Sequence, residues 1–233
     1  MRSLLRIRVV DDKDLAERTA EHIAELITGA VSRRGRCVAG FSGGSTPEPM
    51  MRSLADRDLP WPQTHLVQVD ERIAPSEHPD RNAGLLRMLA DLAGVPASNV
   101  HLMPVTSQDL HAACGAYAAL VASLSGGDAV ALDVAHLGLG EDGHTASLVP
   151  GDPVLAVEGA DVAVTGPYQG RRRMTLTLPA LNRSAAIVWQ VAGAGKAEAL
   201  RMLLNGGDIP AARIRRDRAV VIADASAAQL VSP

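Results

Sequence analysis

The sequence predicts an α/β fold in which helices cover both faces of a mostly parallel sheet. Short apolar segments of strand length alternate with longer segments of helical periodicity along the 233 residues. This alternation is typical of parallel strands, which are joined by crossover helices and buried on both faces. Since such crossovers are right-handed, we expect a doubly wound, Rossmann-like sandwich.

Each predicted element has a local basis. Asp11 or Asp12 can cap the first helix, whose apolar residues recur at helical spacing. Pro47 suits the first turn of the second helix, where a missing N–H costs nothing. The predicted strands span residues 4–10, 36–41, 65–69, 100–102, 129–137, 162–165, 174–176, 186–191 and 219–222. The predicted helices span residues 15–33, 48–54, 81–92, 109–124, 195–204 and 223–230. We expect one domain over residues 1–233, with residues 151–180 forming a flap or a small antiparallel element.

Composition excludes several classes of function. The formal net charge is −3, and two Trp, two Tyr and one Phe are too few aromatic residues to stack nucleic-acid bases. No run of about 18 apolar residues is present to span a membrane. Residues 1–8 alternate apolar and basic residues and lack the apolar core of a signal peptide. Cys37 and Cys114 are too few for a disulfide scaffold, so we expect reduced thiols in a cytoplasmic protein. Nothing in the sequence indicates an obligate protein partner.

Three polar, glycine-containing or charged segments begin where predicted strands end. They are residues 42–47, 70–72 and 138–147. Because the carboxyl ends of parallel strands lie at one edge of a sheet, and ligands bind there, we expect the three segments to meet in one cleft.

The first segment, Ser42-Gly43-Gly44-Ser45-Thr46-Pro47, has the features of an anion-binding loop. Two glycines allow close backbone approach, two hydroxyls can donate, and the helix that follows offers unpaired N–H groups. The alternative is an ordinary tight turn between a strand and a helix. The segment matches neither a Walker loop nor the dinucleotide-binding fingerprint.

The second segment, Asp70-Glu71-Arg72, allows two interpretations. It is either a solvated loop with a surface ion pair or part of the cleft wall. In the cleft, Arg72 can face a phosphate and Asp70 can orient a hydroxyl group or a water molecule.

The third segment contains the strongest candidate for a general base. His144 follows Asp142-Gly143 in a glycine-rich turn, and histidine is the side chain best suited to accept a proton near neutral pH. Asp142 can fix the tautomer of His144 or contact substrate, and backbone N–H groups of residues 143–145 are candidates to stabilise an oxyanion. His136 is the closest rival, but strand alternation can place it inside the sheet. The histidines and carboxylates lack zinc-site spacing, so we infer no metal.

Two later basic segments complete the set of candidates. Arg173 ends a run of three arginines before a β-like segment, and Lys196 stands at a glycine-rich helix start. Both residues can bind an anion. The alternatives are a basic loop on a solvated face and an exposed lysine without a role.

Taken together, these motifs resemble those of the 6-phosphogluconolactonases. The shared residues are Phe41–Pro47, Asp70–Arg72, Gly138–Gly151 and Arg173–Thr177, in that order. The resemblance spans nearly the whole chain. The segment around Asp142-Gly143-His144 is highly specific, whereas the loop 42–47 is shared with the related glucosamine-6-phosphate deaminases.

The resemblance implies a fold related to those deaminases and to ribose-5-phosphate isomerase. It implies hydrolysis of 6-phospho-D-glucono-1,5-lactone in the pentose phosphate pathway, without metal or cofactor. His144 would activate water, with Asp142 beside it. The residues implied to bind the sugar phosphate are Gly43, Gly44, Ser45, Thr46, Asp70, Arg72, Gly143, Arg173 and Lys196.

The sequence departs from the family pattern in two segments, and two other functions are compatible with it. The family often has Asp-Ser-Asn where this chain has Asp80-Arg81-Asn82, and Leu-Phe-Pro-Gly where it has Leu148-Val149-Pro150-Gly151. The first departure bears on the local contacts of that loop. The alternative functions are a deaminase acting on an amino sugar phosphate and a non-catalytic sugar-phosphate sensor.

Overall fold

A computed structural model of the chain describes residues 5–127 and 131–231. The strands are β1 (Arg6–Val10), β2 (Cys37–Phe41), β3 (Thr64–Gln68), β4 (Asp70–Arg72), β5 (Val100–His101), β6 (Val134–Gly138), β7 (Val162–Val164), β8 (Arg173–Leu176), β9 (Ala186–Val191) and β10 (Ala219–Asp224). The helices are α1 (Leu15–Arg34), α2 (Pro47–Ala55), α3 (Ala83–Ala93), α4 (Leu110–Leu124), α5 (Leu178–Asn182) and α6 (Ala197–Asn205). The positions where two predicted strands begin, Leu4 and Ala129, lie outside the described residues.

Seven strands form a fully parallel sheet in the order β1-β10-β9-β6-β2-β3-β5. The chain order reverses between β2 and β6, which lie side by side at the centre. One apolar core packs α1, α2 and α3 against one face, and a second packs α4 and α6 against the other. The predicted doubly wound α/β fold is therefore confirmed. Its switch point lies between the strands that lead into residues 42–47 and 138–147.

A second, three-stranded antiparallel sheet has the order β4-β8-β7. It confirms the antiparallel element expected within residues 151–180. Of the two interpretations of Asp70–Arg72, the solvated loop is wrong, because these residues form a strand that pairs with β8. Asp70 faces Thr175 and Arg72 faces Arg173 across that pair. The N–H of Leu176 donates to Val69 O (2.8 Å), which attaches the small sheet to the end of β3.

Three local predictions differ from the structure. Neither Asp11 nor Asp12 caps α1, since a 3-10 turn over Asp12–Asp14 precedes that helix. The predicted terminal helix is also wrong, because β10 continues to Asp224 and only a 3-10 turn follows. The Asp224 carboxylate accepts hydrogen bonds from the N–H groups of Ala227 and Gly193, which favours a turn there. Helix α5 was not predicted because five residues are too few to show a helical period.

No helix in the described ranges, 5–127 and 131–231, combines the length and apolar character needed to cross a membrane.

Candidate active site

The three polar segments meet in one cleft of about 210 Å³ at the carboxyl edge of the large sheet. Most of the sequence-predicted site residues line it: Gly43, Gly44, Ser45, Thr46, Asp70, Arg72, His144, Arg173 and Lys196. Asp142 and Gly143 are not part of the lining. Convergence at the switch point therefore brings together side chains that are separated by up to about 150 residues in sequence.

The loop that follows β2 depends on its two glycines. A Cβ on Gly43 would lie 1.9 Å from the Asn82 side-chain oxygen, and Gly44 has a φ of +110°. Neither position tolerates a larger residue without a shift. Thr46 precedes α2 without making a side-chain cap, so no side chain at that position covers the first-turn N–H groups. Uncapped N–H groups at a helix start are able to donate to an anion.

Glu71 is fully buried and organises the wall beside that loop. Its carboxylate accepts hydrogen bonds from the N–H groups of Arg72 and Asn82 (both 2.7 Å) and of Ala83 (2.9 Å). The Gln68 amide also donates to it (2.9 Å). Arg81 Nε lies 2.9 Å from the same carboxylate, an ion pair that explains the arginine in Asp80-Arg81-Asn82. Glu71 thus holds the start of α3 against β4.

Asp70 and Arg72 flank Glu71 on β4 and face the cleft. Asp70 accepts a hydrogen bond from the Ser147 hydroxyl (2.6 Å). Burial raises the pKa of Asp70, and the hydrogen bond from Ser147 opposes this rise. Arg72 donates to the backbone oxygen of Asp80 (2.9 Å) and to the side chain of Asn82. Arg72 is therefore partly neutralised by dipoles of the protein before any ligand binds.

His144 is held in one orientation by Asp142. The Nδ1–H group of His144 donates to Asp142 Oδ1 (2.6 Å), and the backbone N–H of His144 donates to the same oxygen (3.1 Å). A Cβ on Gly140 would lie 2.0 Å from His144 Nδ1, so this pairing requires a glycine there. Because a carboxylate only accepts, Nδ1 carries the proton and Nε2 keeps a lone pair. His144 is oriented as a base.

The backbone N–H groups of residues 143–145, in the turn that presents His144, all donate to acceptors of the protein. Gly143 N–H donates to Gly140 O (3.0 Å), His144 N–H donates to Asp142, and Thr145 N–H donates to Leu148 O (3.4 Å). The expectation that residues 143–145 supply oxyanion donors is therefore wrong. Gly143 instead has a φ of +82°, and its Cβ would meet Ile209 at 2.5 Å. Its role is to shape the turn.

Tyr168 is a site residue that sequence reasoning missed. It lies in the turn between β7 and β8, and its hydroxyl donates to Asp142 Oδ2 (3.1 Å). Its ring meets that of His144 edge to face, with centroids 5.4 Å apart. Partial burial tends to raise the pKa of Asp142, but hydrogen bonds from His144 and Tyr168 outweigh it and lower that pKa. The only signal for Tyr168 in the sequence is that one of just two tyrosines lies close to the arginine run 171–173.

Arg173 is a buried cation with few protein partners. It is 6% exposed, and its Nη2 donates to Gln169 (3.2 Å). Its guanidinium lies 4.9 Å from the centre of the Tyr168 ring. Nε has no hydrogen-bond partner within the described ranges. Burial lowers the pKa of Arg173, yet an arginine stays charged. A buried cation with an unpartnered N–H group is suited to bind an anion.

The other basic candidates differ in position. Lys196 ends a 3-10 turn and lies 3.9 Å from the exposed Glu141 carboxylate, so its charge is only loosely paired. Arg171 pairs with Asp80 (2.9 Å) and does not line the cleft, nor does Arg172. The interpretation of the arginine run as a solvated basic loop therefore describes Arg171 but not Arg173.

His136 lies inside the sheet, as strand alternation predicted, and it also lines the cleft. Within the part of the chain that the structure describes, no group of three or more His, Cys, Asp or Glu side chains could hold a metal ion. Cys37 and Cys114 are both buried free thiols.

Residues 10–223 match the family described as glucosamine-6-phosphate isomerases/6-phosphogluconolactonase. The chain is 37% identical over 196 residues to a 6-phosphogluconolactonase of Synechocystis sp., covering 82% of this chain and 81% of that one. A crystal structure of 6-phosphogluconolactonase from Thermotoga maritima, 26% identical, has a TM-score of 0.83 and covers 94% of this chain and 98% of that one. A monomeric glucosamine-6-phosphate deaminase, 24% identical, has a TM-score of 0.81 over 97% of this chain and 100% of that one, a likeness of fold.

Proposed function

The chain belongs to the family of glucosamine-6-phosphate isomerases and 6-phosphogluconolactonases, and from this premise we propose that it hydrolyses 6-phospho-D-glucono-1,5-lactone to 6-phospho-D-gluconate. One observation carries the proposal. An Asp142-oriented histidine and an under-partnered buried arginine belong to the same cleft. A base and an anion site in one cleft suit hydrolysis of a phosphorylated substrate.

In this proposal the phosphate anchors the substrate. The Gly43–Thr46 loop, the start of α2 and Lys196 receive the phosphate, while Arg72 and Arg173 add positive charge along the cleft. Asp70 accepts hydrogen bonds from sugar hydroxyl groups. Binding energy from the phosphate end then holds the lactone carbonyl carbon near His144, which lowers the entropic part of the barrier.

The chemical step is general-base attack of water. His144 Nε2 takes a proton from water as the water oxygen bonds to C1 of the lactone. Asp142 stabilises the imidazolium that forms, since its carboxylate already accepts the Nδ1–H. The imidazolium then returns the proton to the ring oxygen as the C1–O bond breaks. With the backbone donors of residues 143–145 engaged, the cations of the cleft are left to offset the oxyanion charge.

The test is a coupled assay with freshly generated lactone, corrected for spontaneous hydrolysis. Replacing His144 by Ala is expected to lower kcat by roughly 10²- to 10⁴-fold. Binding of 6-phosphogluconate by that variant should persist, because the phosphate contacts are untouched. The matched control is His111→Ala, at an exposed position on α4 outside the cleft.

Three outcomes contradict the proposal. A fully active His144→Ala enzyme removes the assigned base. Ammonia release from glucosamine 6-phosphate indicates a deaminase instead. Tight binding of 6-phosphogluconate with no rate above background indicates a sensor.

The proposal places the enzyme in the cytoplasm and treats residues 1–233 as one domain that needs no obligate protein partner. The buried free thiols of Cys37 and Cys114 support a reducing compartment.

A further inference from the structure

A second histidine forms part of the cleft wall and has no role in the chemistry described above. His136 lies on β6, the central strand, where its backbone oxygen accepts hydrogen bonds from the N–H (3.2 Å) and hydroxyl (3.1 Å) of Ser42. The side chain is 1% exposed and still contributes to the lining. A polar ring at this depth normally has both nitrogens hydrogen-bonded.

Among the residues that the structure describes, only one of the two ring nitrogens of His136 has a hydrogen-bond partner. Nε2 lies 3.1 Å from the side-chain oxygen of Gln190 on β9, a residue that is 3% exposed and also lines the cleft. Because an amide oxygen only accepts, Nε2 carries the proton and Nδ1 keeps a lone pair. Nδ1 is buried and has no hydrogen-bond partner within the described ranges. An unpaired buried acceptor is costly unless a ligand supplies a donor.

The partners of the two cleft histidines give them opposite properties. His144 donates its Nδ1–H to the Asp142 carboxylate, which leaves the lone pair on Nε2. His136 donates to a neutral amide, and its burial lowers its pKa to about 4. His136 is therefore neutral at physiological pH and is a poor proton acceptor. It presents a fixed lone pair, which suits a hydroxyl donor and not a phosphate or carboxylate oxygen.

We propose that His136 is a substrate-binding residue whose Nδ1 accepts a hydrogen bond from a hydroxyl group of the sugar. The inference rests on the proposed function and adds a determinant of specificity to the same cleft. Gln190 is the positioning residue that sets the tautomer of His136. A sugar lacking the matching hydroxyl leaves the buried acceptor unpaired and binds less well.

The main experiment combines side-chain and hydroxyl deletions. Binding of 6-phosphogluconate and of its 2-, 3- and 4-deoxy analogues is measured by calorimetry for the parent and for His136→Leu. We expect His136→Leu to weaken 6-phosphogluconate binding about 10-fold. For one analogue, the parent should bind about 10-fold more weakly than it binds 6-phosphogluconate. His136→Leu should bind that analogue and 6-phosphogluconate with the same affinity, because the contact is already absent. Equal binding by parent and variant, or additive losses for every analogue, overturns the proposal.

Two further measurements separate ligand contact from a structural role. His136→Asn returns an acceptor near the position of Nδ1, and we expect it to recover most of the lost affinity. Binding of inorganic phosphate should be the same for all three proteins, because His136 bonds to Ser42 only through its backbone oxygen, which both substitutions keep. Failure of the Asn variant to recover affinity, when it folds like the parent, counts against the proposal.

A spectroscopic test uses the parent protein alone and does not depend on the variants folding. In protein labelled with ¹⁵N-histidine, the Nδ1 resonance of His136 should be that of an unprotonated nitrogen and should move when 6-phosphogluconate is added. An unmoved resonance in the saturated complex overturns the inference. Lactone hydrolysis by the same preparation tests the proposed function separately, so either claim can fail while the other stands.

Discussion

Two buried charged residues on neighbouring strands of the small sheet differ in how completely the protein hydrogen-bonds them. Glu71 on β4 accepts four hydrogen bonds from the protein and also pairs with Arg81. Arg173 on β8 donates to Gln169, and its Nε has no partner within the described ranges. Both are nearly inaccessible to water. The satisfied charge holds the architecture of the cleft, whereas the unsatisfied one is available to a ligand.

The largest expected effect is on stability at Glu71. Replacing Glu71 by Ala removes the acceptor of several buried donors, and we expect a loss of about 3–5 kcal/mol in the free energy of unfolding. Urea denaturation measures it. The control is Glu48→Ala, whose exposed pair with Arg52 should contribute almost nothing. If the two variants lose similar amounts of unfolding free energy, the hydrogen bonds to Glu71 stabilise the fold no more than an exposed ion pair does.

The next effect is the pH dependence of stability set by His136. Its pKa is about 4 in the folded protein and about 6.5 when unfolded. The unfolded chain therefore binds more protons in that window, and stability falls as the pH falls from 6.5 to 4, by about 3 kcal/mol from this group. Denaturation curves at pH 7, 5 and 4 should show a smaller decline for His136→Leu than for the parent. If the stability of the parent and of His136→Leu falls equally with pH, this pH dependence does not come from His136.

At Arg173 the expected effect is on binding and not on folding. Replacing Arg173 by Met keeps most of its length and removes a charge whose Nε has no partner within the described ranges. We expect 6-phosphogluconate binding to weaken by about 1.5–3 kcal/mol, with KM raised and stability little changed. Lys196→Ala should act in the same direction. Arg171→Met is the matched control, since Arg171 pairs with Asp80 outside the cleft. Unchanged affinity in both cleft variants means that the phosphate site lies elsewhere.

Tyr168 should give the smallest effect. Tyr168→Phe removes the hydrogen bond to Asp142 and keeps the ring that packs on Arg173. One neutral-to-charged hydrogen bond of this kind predicts a fall in kcat of roughly 10-fold, with KM nearly constant. Tyr168→Ala removes the ring as well, so its KM should also rise. If both variants behave alike, the hydroxyl has no separate role.

Much of the scaffold was predictable because its determinants are local. Helical periodicity located α1 and α4, and apolar runs bounded by polar segments located β2, β6 and β9. Because parallel strands expose their carboxyl ends at one edge of a sheet, the sequence also predicted that the three polar segments meet in one cleft. The spacing in Asp142-Gly143-His144 also indicated a pair, since residues two apart in a turn can hydrogen-bond.

Other features depended on contacts between distant segments. Strand β4 exists because it pairs with β8, about 100 residues later, and nothing within Asp70–Arg72 signals that pairing. Tyr168 reaches Asp142 from the turn between β7 and β8, 26 residues later in the chain. The directions of the N–H groups in residues 143–145, and the tautomer that Gln190 sets on His136, also appear only in three dimensions.

Residue type and local spacing therefore determined the fold class and which groups can do chemistry. Tertiary packing decided which of those groups are already satisfied by the protein, because hydrogen-bond partners come from segments far apart in the chain.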